Sequence, residues 1–139
     1  MKIVTTWIAL LFSFALLAIS PAASAAGNPN IVIVLTDDLG YGDVSFLNPE
    51  SKVQTPHMDA LAEAGVWGTD AHAPSTVCSP SRYALLTGRY AWRGKLRAGR
   101  LNPWEASAIE HDRLTLPKML KSQGYFTACV GKWHLGFDW

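Results

Sequence analysis

Residues 30–38 read Asn-Ile-Val-Ile-Val-Leu-Thr-Asp-Asp, an apolar run that ends in two adjacent carboxylates. A continuous run of β-branched residues is typical of a strand that is buried on both faces of a parallel sheet. In open α/β sheets, ligands bind beyond the carboxyl ends of the strands. The stretch therefore predicts a strand over 30–36, with Asp37 and Asp38 at its functional end.

Helical and strand patterns alternate along the chain that follows. Thr55-Pro56 predicts the N-cap and the first residue of a helix that continues to about Ala64 and stops at Gly65. The other predicted elements are a strand over 66–71, a helix over 79–87 closed by Gly88, a helix after Thr115 that ends before Gly124, and a strand over 125–130. This alternation predicts an α/β domain with a mainly parallel sheet flanked by helices.

Length, charge and composition exclude several classes of protein. The 139 residues allow one domain. The formal net charge of +1 falls to zero without residues 1–25, because Lys2 is lost and 11 basic residues face 11 acidic ones. No global positive field is left to attract nucleic acid, which we exclude as a partner. An aromatic content of 11% argues against a disordered or fibrous chain.

The first 25 residues have the three parts of an export signal. A positive start at Lys2 precedes an apolar stretch of 13 residues over 7–19, and Ala23-Ser24-Ala25 matches a peptidase site. A membrane-spanning helix needs about 20 apolar residues, so an uncleaved anchor is the less favoured alternative. We predict a signal peptide at 1–25, a mature domain at 26–139, and export without stable membrane association after cleavage.

Asp37 and Asp38 are a candidate metal site. Two crowded carboxylates repel each other unless a cation lies between them, and hard oxygen donors suit Ca²⁺ or Mg²⁺. The glycines at 40 and 42 permit the turn that would let the carboxylates converge. A solvated turn is the alternative.

Cys78-Ser79-Pro80-Ser81-Arg82 predicts an anion site at the start of a helix. Pro80 suits a first helical turn, where free N–H groups and the helix dipole favour an anion. Arg82 follows Cys78 by four residues and therefore lies on the same helical face. The arrangement suits a tetrahedral oxyanion such as sulfate or phosphate, and the alternative is a capped surface helix with an incidental Cys and Arg.

Lys132 and His134 lie at the end of the last predicted strand, two residues apart, so that both side chains can face one way. Lysine offers a positive charge to an oxyanion, and histidine can transfer a proton near neutral pH. Gly131 and Gly136 bracket the pair and would let the backbone approach a ligand.

Four blocks of this sequence resemble the sulfatase family, in the family's order. Residues 78–88 (CSPSRYALLTG) are similar to its first signature, and residues 124–136 (GYFTACVGKWHLG) are similar to its second. Residues 30–38 and 55–66 resemble the opening strand and the helix that follows it. The resemblance covers nearly the whole mature chain and implies the N-terminal part of an alkaline-phosphatase-like fold, incomplete in this chain.

The resemblance implies a role for each matching residue. Asp37 and Asp38 would bind a divalent metal, Ca²⁺ more than Mg²⁺, together with residue 78. Cys78 would be converted to formylglycine, whose hydrate is the nucleophile, by a formylglycine-generating enzyme that recognises the segment through Arg82. Arg82 would also orient the modified residue, Lys132 would hold the sulfate, and His134 would bond the hydrate and act as base.

The implied reaction is hydrolysis of a sulfate monoester of a small molecule or glycan. Alternatives are a phosphonate or phosphate ester hydrolase of the same superfamily, an inactive secreted fragment, and a domain stapled by a Cys78–Cys129 disulfide. The resemblance makes that disulfide the least favoured and leaves Cys129 as an ordinary buried thiol. It also implies further metal ligands beyond Trp139, so this chain alone would be inactive and poorly folded.

Residues 89–100 carry five positive charges in twelve positions. The segment could attract anionic glycans or form a solvated loop. Export places the protein in the periplasm or outside the cell in a bacterium, and in the secretory pathway or lysosome in a eukaryote.

Overall fold

The computed structural model describes residues 27–102 and 104–138, in two units that comprise residues 1–35 and 36–139. The described part of the first unit, residues 27–35, has no regular secondary structure. The predicted signal peptide lies outside the described residues. Across the described ranges, no helix has the length and apolar content needed to cross a membrane.

The described residues form three α-helices, which we label α1 (Pro56–Ala64), α2 (Cys78–Thr87) and α3 (Leu116–Ser122). Short 3₁₀ turns lie at Tyr41–Asp43 and Ala91–Arg93. All three predicted helices are confirmed. Gly88 ends α2 in the left-handed conformation (φ +65°), and Thr115 caps α3 by accepting a hydrogen bond from the Lys118 amide at 3.4 Å.

Asp59 on α1 holds the loop that follows Asp38. Its carboxylate accepts hydrogen bonds from the hydroxyls of Ser45 (2.6 Å) and Thr55 (2.8 Å), and from the Phe46 amide (3.1 Å). Thr55 occupies the predicted N-cap position, but its side chain makes no capping bond to the helix. These bonds fix the loop to the helix.

A small core surrounds α2. Its members are buried apolar side chains from α2, the 91–108 segment and the second signature: Tyr83, Ala91, Leu96, Leu101, Ala108 and Leu135. Tyr83 and Leu135 are fully buried. The Leu135 carbonyl accepts a hydrogen bond from the Ala108 amide at 2.9 Å. The core therefore fixes α2 and the second signature together.

No strand forms among the described residues, so the predicted strands over 30–36, 66–71 and 125–130 are absent from this structure. Val32 and Val34 are 84% and 83% exposed, and Phe126 and Val130 are 95% and 97% exposed. A strand exists only through hydrogen bonds to a neighbouring strand, whereas a helix closes its bonds within one segment. The parallel sheet stays a prediction.

Candidate active site

Cys78 is the first residue of α2, as predicted, and Val77 before it is extended (φ −120°, ψ 142°). Pro80 fits the first turn because no intrahelical bond needs its missing N–H. The free N–H groups and the dipole of this helix end favour negative charge at residue 78. Arg82 lies one turn further along the same face.

Cys78 and His134 are in direct contact, with 3.1 Å between Sγ and Nδ1. The other ring nitrogen of His134, Nε2, lies 3.0 Å from the Leu101 carbonyl oxygen. Because a carbonyl oxygen can only accept, Nε2 carries the proton of the neutral ring. Nδ1 is then a free acceptor directed at residue 78, which is the arrangement that a general base needs.

The chain around His134 is bent by three residues with positive φ: Gly131 (+101°), His134 (+55°) and Gly136 (+75°). A Cβ on Gly131 would meet open space, whereas one on Gly136 would collide with the carbonyl oxygens of Glu105 and Ala106. Gly136 thus allows a close approach to the protein's own backbone. The approach of Gly131 or Gly136 to a ligand stays a prediction.

Lys132 and Arg82 both contact Asp37. The Lys132 ammonium donates to both carboxylate oxygens, at 2.8 and 2.9 Å, and an Arg82 guanidinium nitrogen lies 3.5 Å from Oδ1. The hydrogen bond from Lys132, with the positive charges of Lys132 and Arg82, lowers the pKa of Asp37. The same carboxylate raises the pKa of Lys132. Two cations and one carboxylate leave a net charge of +1 on this group.

Arg82 also links α2 to the second signature, because its guanidinium donates a hydrogen bond to the Lys132 carbonyl. Its side chain is only 13% exposed. The Nε–H is buried and has no hydrogen-bond acceptor in the part of the chain that the structure describes. A buried donor without a partner is costly, so this atom has capacity for one more acceptor.

The chain turns at Asp38 itself, which has φ +58°, while Gly40 stays at −80°. Aspartate tolerates this conformation better than most residues. Asp38 is exposed, and both oxygens of Asp37 already contact Lys132. Within residues 27–102 and 104–138, no group of three His, Cys, Asp or Glu side chains could hold a metal ion.

Five of the six predicted site residues thus lie in two contacting groups, Cys78 with His134 and Asp37 with Arg82 and Lys132. The two groups are neighbours along the chain, because Cys78 and Arg82 share α2 and Lys132 precedes His134 by two residues; we call the five residues the cluster. Sequence reasoning missed the Leu101 carbonyl, because a backbone acceptor carries no residue signature. Both cysteines are free thiols. Cys129 is exposed, so the prediction of a buried thiol was wrong, since the strand that would bury it does not form.

The basic residues of the 89–100 segment make local contacts. Arg89 and Lys95 donate to the backbone carbonyls of Arg93 (3.1 Å) and Ser107 (3.4 Å), and the Arg93 guanidinium lies 5.0 Å from the centre of the Trp92 ring. These contacts are typical of a solvated loop. These contacts do not test whether the segment attracts anionic glycans, which stays a prediction.

Comparison with known proteins relates the chain to sulfatases. It is 46% identical over 121 residues to arylsulfatase A from Bos taurus, covering 86% of this chain and 24% of that protein. It is 46% identical over 108 residues to N-acetylgalactosamine-6-O-sulfatase from Bacteroides thetaiotaomicron, covering 78% and 21%. It is 44% identical over 119 residues to human steryl-sulfatase, covering 82% and 20%.

A solved structure is similar as well. It comes from work on the metabolism of multiple glycosaminoglycans by Bacteroides thetaiotaomicron, with a TM-score of 0.65 and 47% identity, over 72% of this chain and 20% of that one. The chain spans about a fifth to a quarter of the length of the curated relatives above. The family model named Sulfatase matches residues 29–139, and on this evidence the chain belongs to the sulfatase family.

Proposed function

We propose that this protein hydrolyses sulfate monoesters, with residue 78 as the nucleophile. The observation that carries the proposal is the contact between Cys78 Sγ and Nδ1 of His134 at 3.1 Å, with Nε2 of the same ring on the Leu101 carbonyl and with the contacting pair Arg82 and Lys132 on the same two segments. A nucleophile position, a base and two cations within one cluster is the arrangement that ester hydrolysis at an oxyanion requires. Membership of the sulfatase family supports the same reaction.

The charge of the cluster suits a sulfate monoester, which carries one negative charge. Lys132, Arg82 and Asp37 together carry +1, and the N-terminus of α2 adds further positive potential. In this proposal Lys132 turns from Asp37 to the sulfate oxygens. Positively charged donors placed where charge develops commonly supply the largest part of catalysis.

The cluster fits formylglycine at position 78. The hydrated aldehyde carries two hydroxyl groups where the thiol has one sulfur atom. One hydroxyl can act as the nucleophile, and the other offers a further hydrogen-bond acceptor. Nδ1 of His134 is an acceptor that contacts residue 78, and the buried Nε–H of Arg82, one turn along α2, is a donor without an acceptor among the described residues. In the proposal His134 removes a proton from that residue, and a formylglycine-generating enzyme acts on the segment from Cys78 to Arg82.

A divalent cation, Ca²⁺ rather than Mg²⁺, is part of the proposal. With Cys78 unconverted and both Asp37 oxygens bonded to Lys132, the described residues do not form a group that could hold the cation. In the proposal, Asp37 and Asp38 would supply oxygen donors of the kind that suits Ca²⁺, and residue 78 would add another once Cys78 is converted. Three residues provide fewer than the six to eight ligands that Ca²⁺ takes, so they form part of a coordination shell. The cation would neutralise charge on the sulfate oxygens.

The substrate in this proposal is a sulfated small molecule or glycan outside the cytoplasm. The names of the relatives include an arylsulfatase, an N-acetylgalactosamine sulfatase and a steryl-sulfatase, so the family accepts varied alcohols. Export rests on the sequence of residues 1–25.

Turnover of a chromogenic aryl sulfate, beside the matching aryl phosphonate ester, tests the proposal in the protein expressed from its complete gene (the full-length protein below). We expect the sulfate to be the better substrate. Cys78→Ala abolishes turnover, and His134→Ala lowers kcat/KM by about 10²–10⁴. The matched control Cys129→Ala removes an exposed thiol and keeps the activity. A faster phosphonate reaction, or full activity in Cys78→Ala, would contradict the proposal.

A further inference from the structure

We propose that Ser79 is a positioning residue that holds the base His134 through the backbone of Leu101. The inference rests on the proposed function for its kinetic consequence, but the positioning itself can be measured without activity. Ser79 lies beside the nucleophile position in the first signature, and none of the roles considered above uses it.

The contacts form a closed path through the site. The Ser79 hydroxyl oxygen accepts a hydrogen bond from the Leu101 amide at 3.2 Å. The Leu101 carbonyl accepts from Nε2 of His134 at 3.0 Å, and Nδ1 of His134 contacts Cys78 at 3.1 Å. Cys78 and Ser79 are adjacent in α2, so the path begins and ends on the same helical turn.

Burial makes this path rigid. Ser79 is fully buried and Leu101 is 8% exposed. A buried backbone amide needs a partner, and among the described residues the Leu101 amide has the Ser79 hydroxyl as its acceptor. Fixing the Leu101 amide restrains the residue whose carbonyl contacts His134. If that carbonyl moved, Nε2 would lose its acceptor, and no hydrogen bond would then fix the tautomer of the ring.

His134 needs such a restraint because its backbone is strained. Its φ of +55° lies in the left-handed region, which a non-glycine residue adopts only where its surroundings impose it. The fully buried Leu135 holds the chain on one side of His134. The bond to Leu101 holds the imidazole ring, so that Nδ1 stays unprotonated and directed at residue 78.

A role for Ser79 in core packing alone predicts a different outcome. Filling space requires a side chain of the right size, whereas positioning requires an oxygen acceptor. Ser79→Cys keeps nearly the same size with a weak acceptor, and Ser79→Thr keeps the hydroxyl. The two variants therefore separate the roles even where Ser79→Ala fails to fold.

The test compares these variants in the full-length protein by ¹⁵N NMR of histidine-labelled protein, at a pH where the imidazole of His134 is neutral. His134→Gln identifies the signal. We expect the Nε2–H tautomer in the wild type and in Ser79→Thr, and a mixture of tautomers in Ser79→Cys and Ser79→Ala. Thr87→Val, which removes a hydroxyl at the other end of α2, is the control and keeps the wild-type tautomer.

Kinetics on an aryl sulfate provide the second readout, with rates divided by the fraction of residue 78 that mass spectrometry finds converted. We expect Ser79→Cys and Ser79→Ala to lower kcat about 10–100-fold, as the loss of a group that orients an active-site residue does, while KM changes less than about twofold. Ser79→Thr restores kcat. If Ser79→Cys keeps both the tautomer and the kcat of the wild type, the proposal is overturned. If the wild type is inactive but the tautomer still changes in Ser79→Cys and Ser79→Ala, only the proposed function is overturned.

Discussion

Two non-glycine residues among those described have positive φ, and both lie at the candidate site: Asp38 (+58°) and His134 (+55°). Such conformations cost an L-residue up to about 1–2 kcal/mol, less for Asp and His than for most side chains, and they cluster at functional sites. At Asp38 the chain turns directly after Asp37, and at His134 the backbone places the imidazole in contact with Cys78. The strain thus supports the assignment of these two segments to one site.

The ion pair between Asp37 and Lys132 predicts a pH window. Because the pKa of Asp37 is lowered from 3.8, its stabilising charge is present above that pH and is lost as the pH falls through the lower folded value. Because the pKa of Lys132 is raised from 10.5, its contribution is present below that pH and is lost as the pH rises through the higher folded value. The pair persists between these limits.

Lys132→Met tests the cause of the Asp37 shift. We expect the pKa of Asp37 to rise, because the hydrogen bond and the positive charge of Lys132, which lower it, are both lost. A ¹³C NMR titration of the Asp37 carboxyl measures the change. Lys121→Met, in the last turn of α3, is the control. The same Asp37 midpoint in both variants would show that Lys132 does not cause the shift.

We expect Gly136→Ala to lower the free energy of unfolding by a large amount. The positive φ costs about 1 kcal/mol for alanine, and the overlap of Cβ with the carbonyls of residues 105 and 106 adds about 1–3 kcal/mol. Gly88→Ala is the matched control, because Gly88 has a similar φ (+65°) with open space around it. Urea unfolding of the full-length protein measures the free energy of unfolding of both variants, and equal losses would contradict the close approach at Gly136.

At the scale of elements, α2 does most to assemble the site. It begins with the nucleophile position, carries Arg82 on the same face and buries Tyr83 in the core. Tyr83 donates to Glu110 at 3.1 Å, and burial together with this carboxylate raises the pKa of Tyr83. One helix therefore fixes both the reactive end and the hydrophobic contact that holds it.

Asp59→Asn tests whether α1 holds the loop after Asp38. Hydrogen bonds from Ser45, then from Thr55 and the Phe46 amide, lower the pKa of Asp59. Its stabilising charge is thus present above pH 3.8 and lost as the pH falls through the lower folded pKa. We expect the variant to melt a few degrees lower at neutral pH and to lose less stability on acidification. Glu63→Gln, an exposed carboxylate on the same helix, is the control. If Asp59→Asn melts like the wild type at both pH values, Asp59 does not hold the loop.

Helices and their ends could be predicted from the sequence because the signals are local. Pro56, Gly88 and Thr115 act within one turn of the helix they begin or end, and each lies where it was predicted. The contact between Cys78 and His134 joins residues 56 positions apart. It could be anticipated only because each residue belongs to a recognised signature. The Leu101 carbonyl has no such signature, so only the structure reveals it.

The strands could not be tested in the same way, because their partners are non-local. Residues 31–35 have strong strand propensity, yet Val32 and Val34 are exposed and no described residue forms a ladder. The same holds for Phe126 and Val130. Local preference is present in both segments, and the neighbouring strands that would convert it into a sheet are not among the described residues.

At the scale of the whole molecule, we expect residues 26–139 expressed alone to unfold without a cooperative transition and to show no aryl sulfate turnover. The apolar side chains at 32, 34, 126 and 130 are more than four-fifths exposed, and the core consists of six buried apolar residues among those described. Urea unfolding followed by tryptophan fluorescence measures this, with the full-length protein as the control. A sharp transition together with turnover would contradict it.

We propose that Cys78 becomes the nucleophile of a sulfatase, and the mass of the peptide that contains residue 78 measures this conversion. Trypsin releases residues 53–82 as one peptide, because the chain has no other Lys or Arg between Lys52 and Arg82. Conversion of the thiol to formylglycine removes about 18 Da from this peptide. We expect this lighter peptide in full-length protein that turns over aryl sulfate. Full-length protein that turns over aryl sulfate while its Cys78 is unmodified would contradict the proposal.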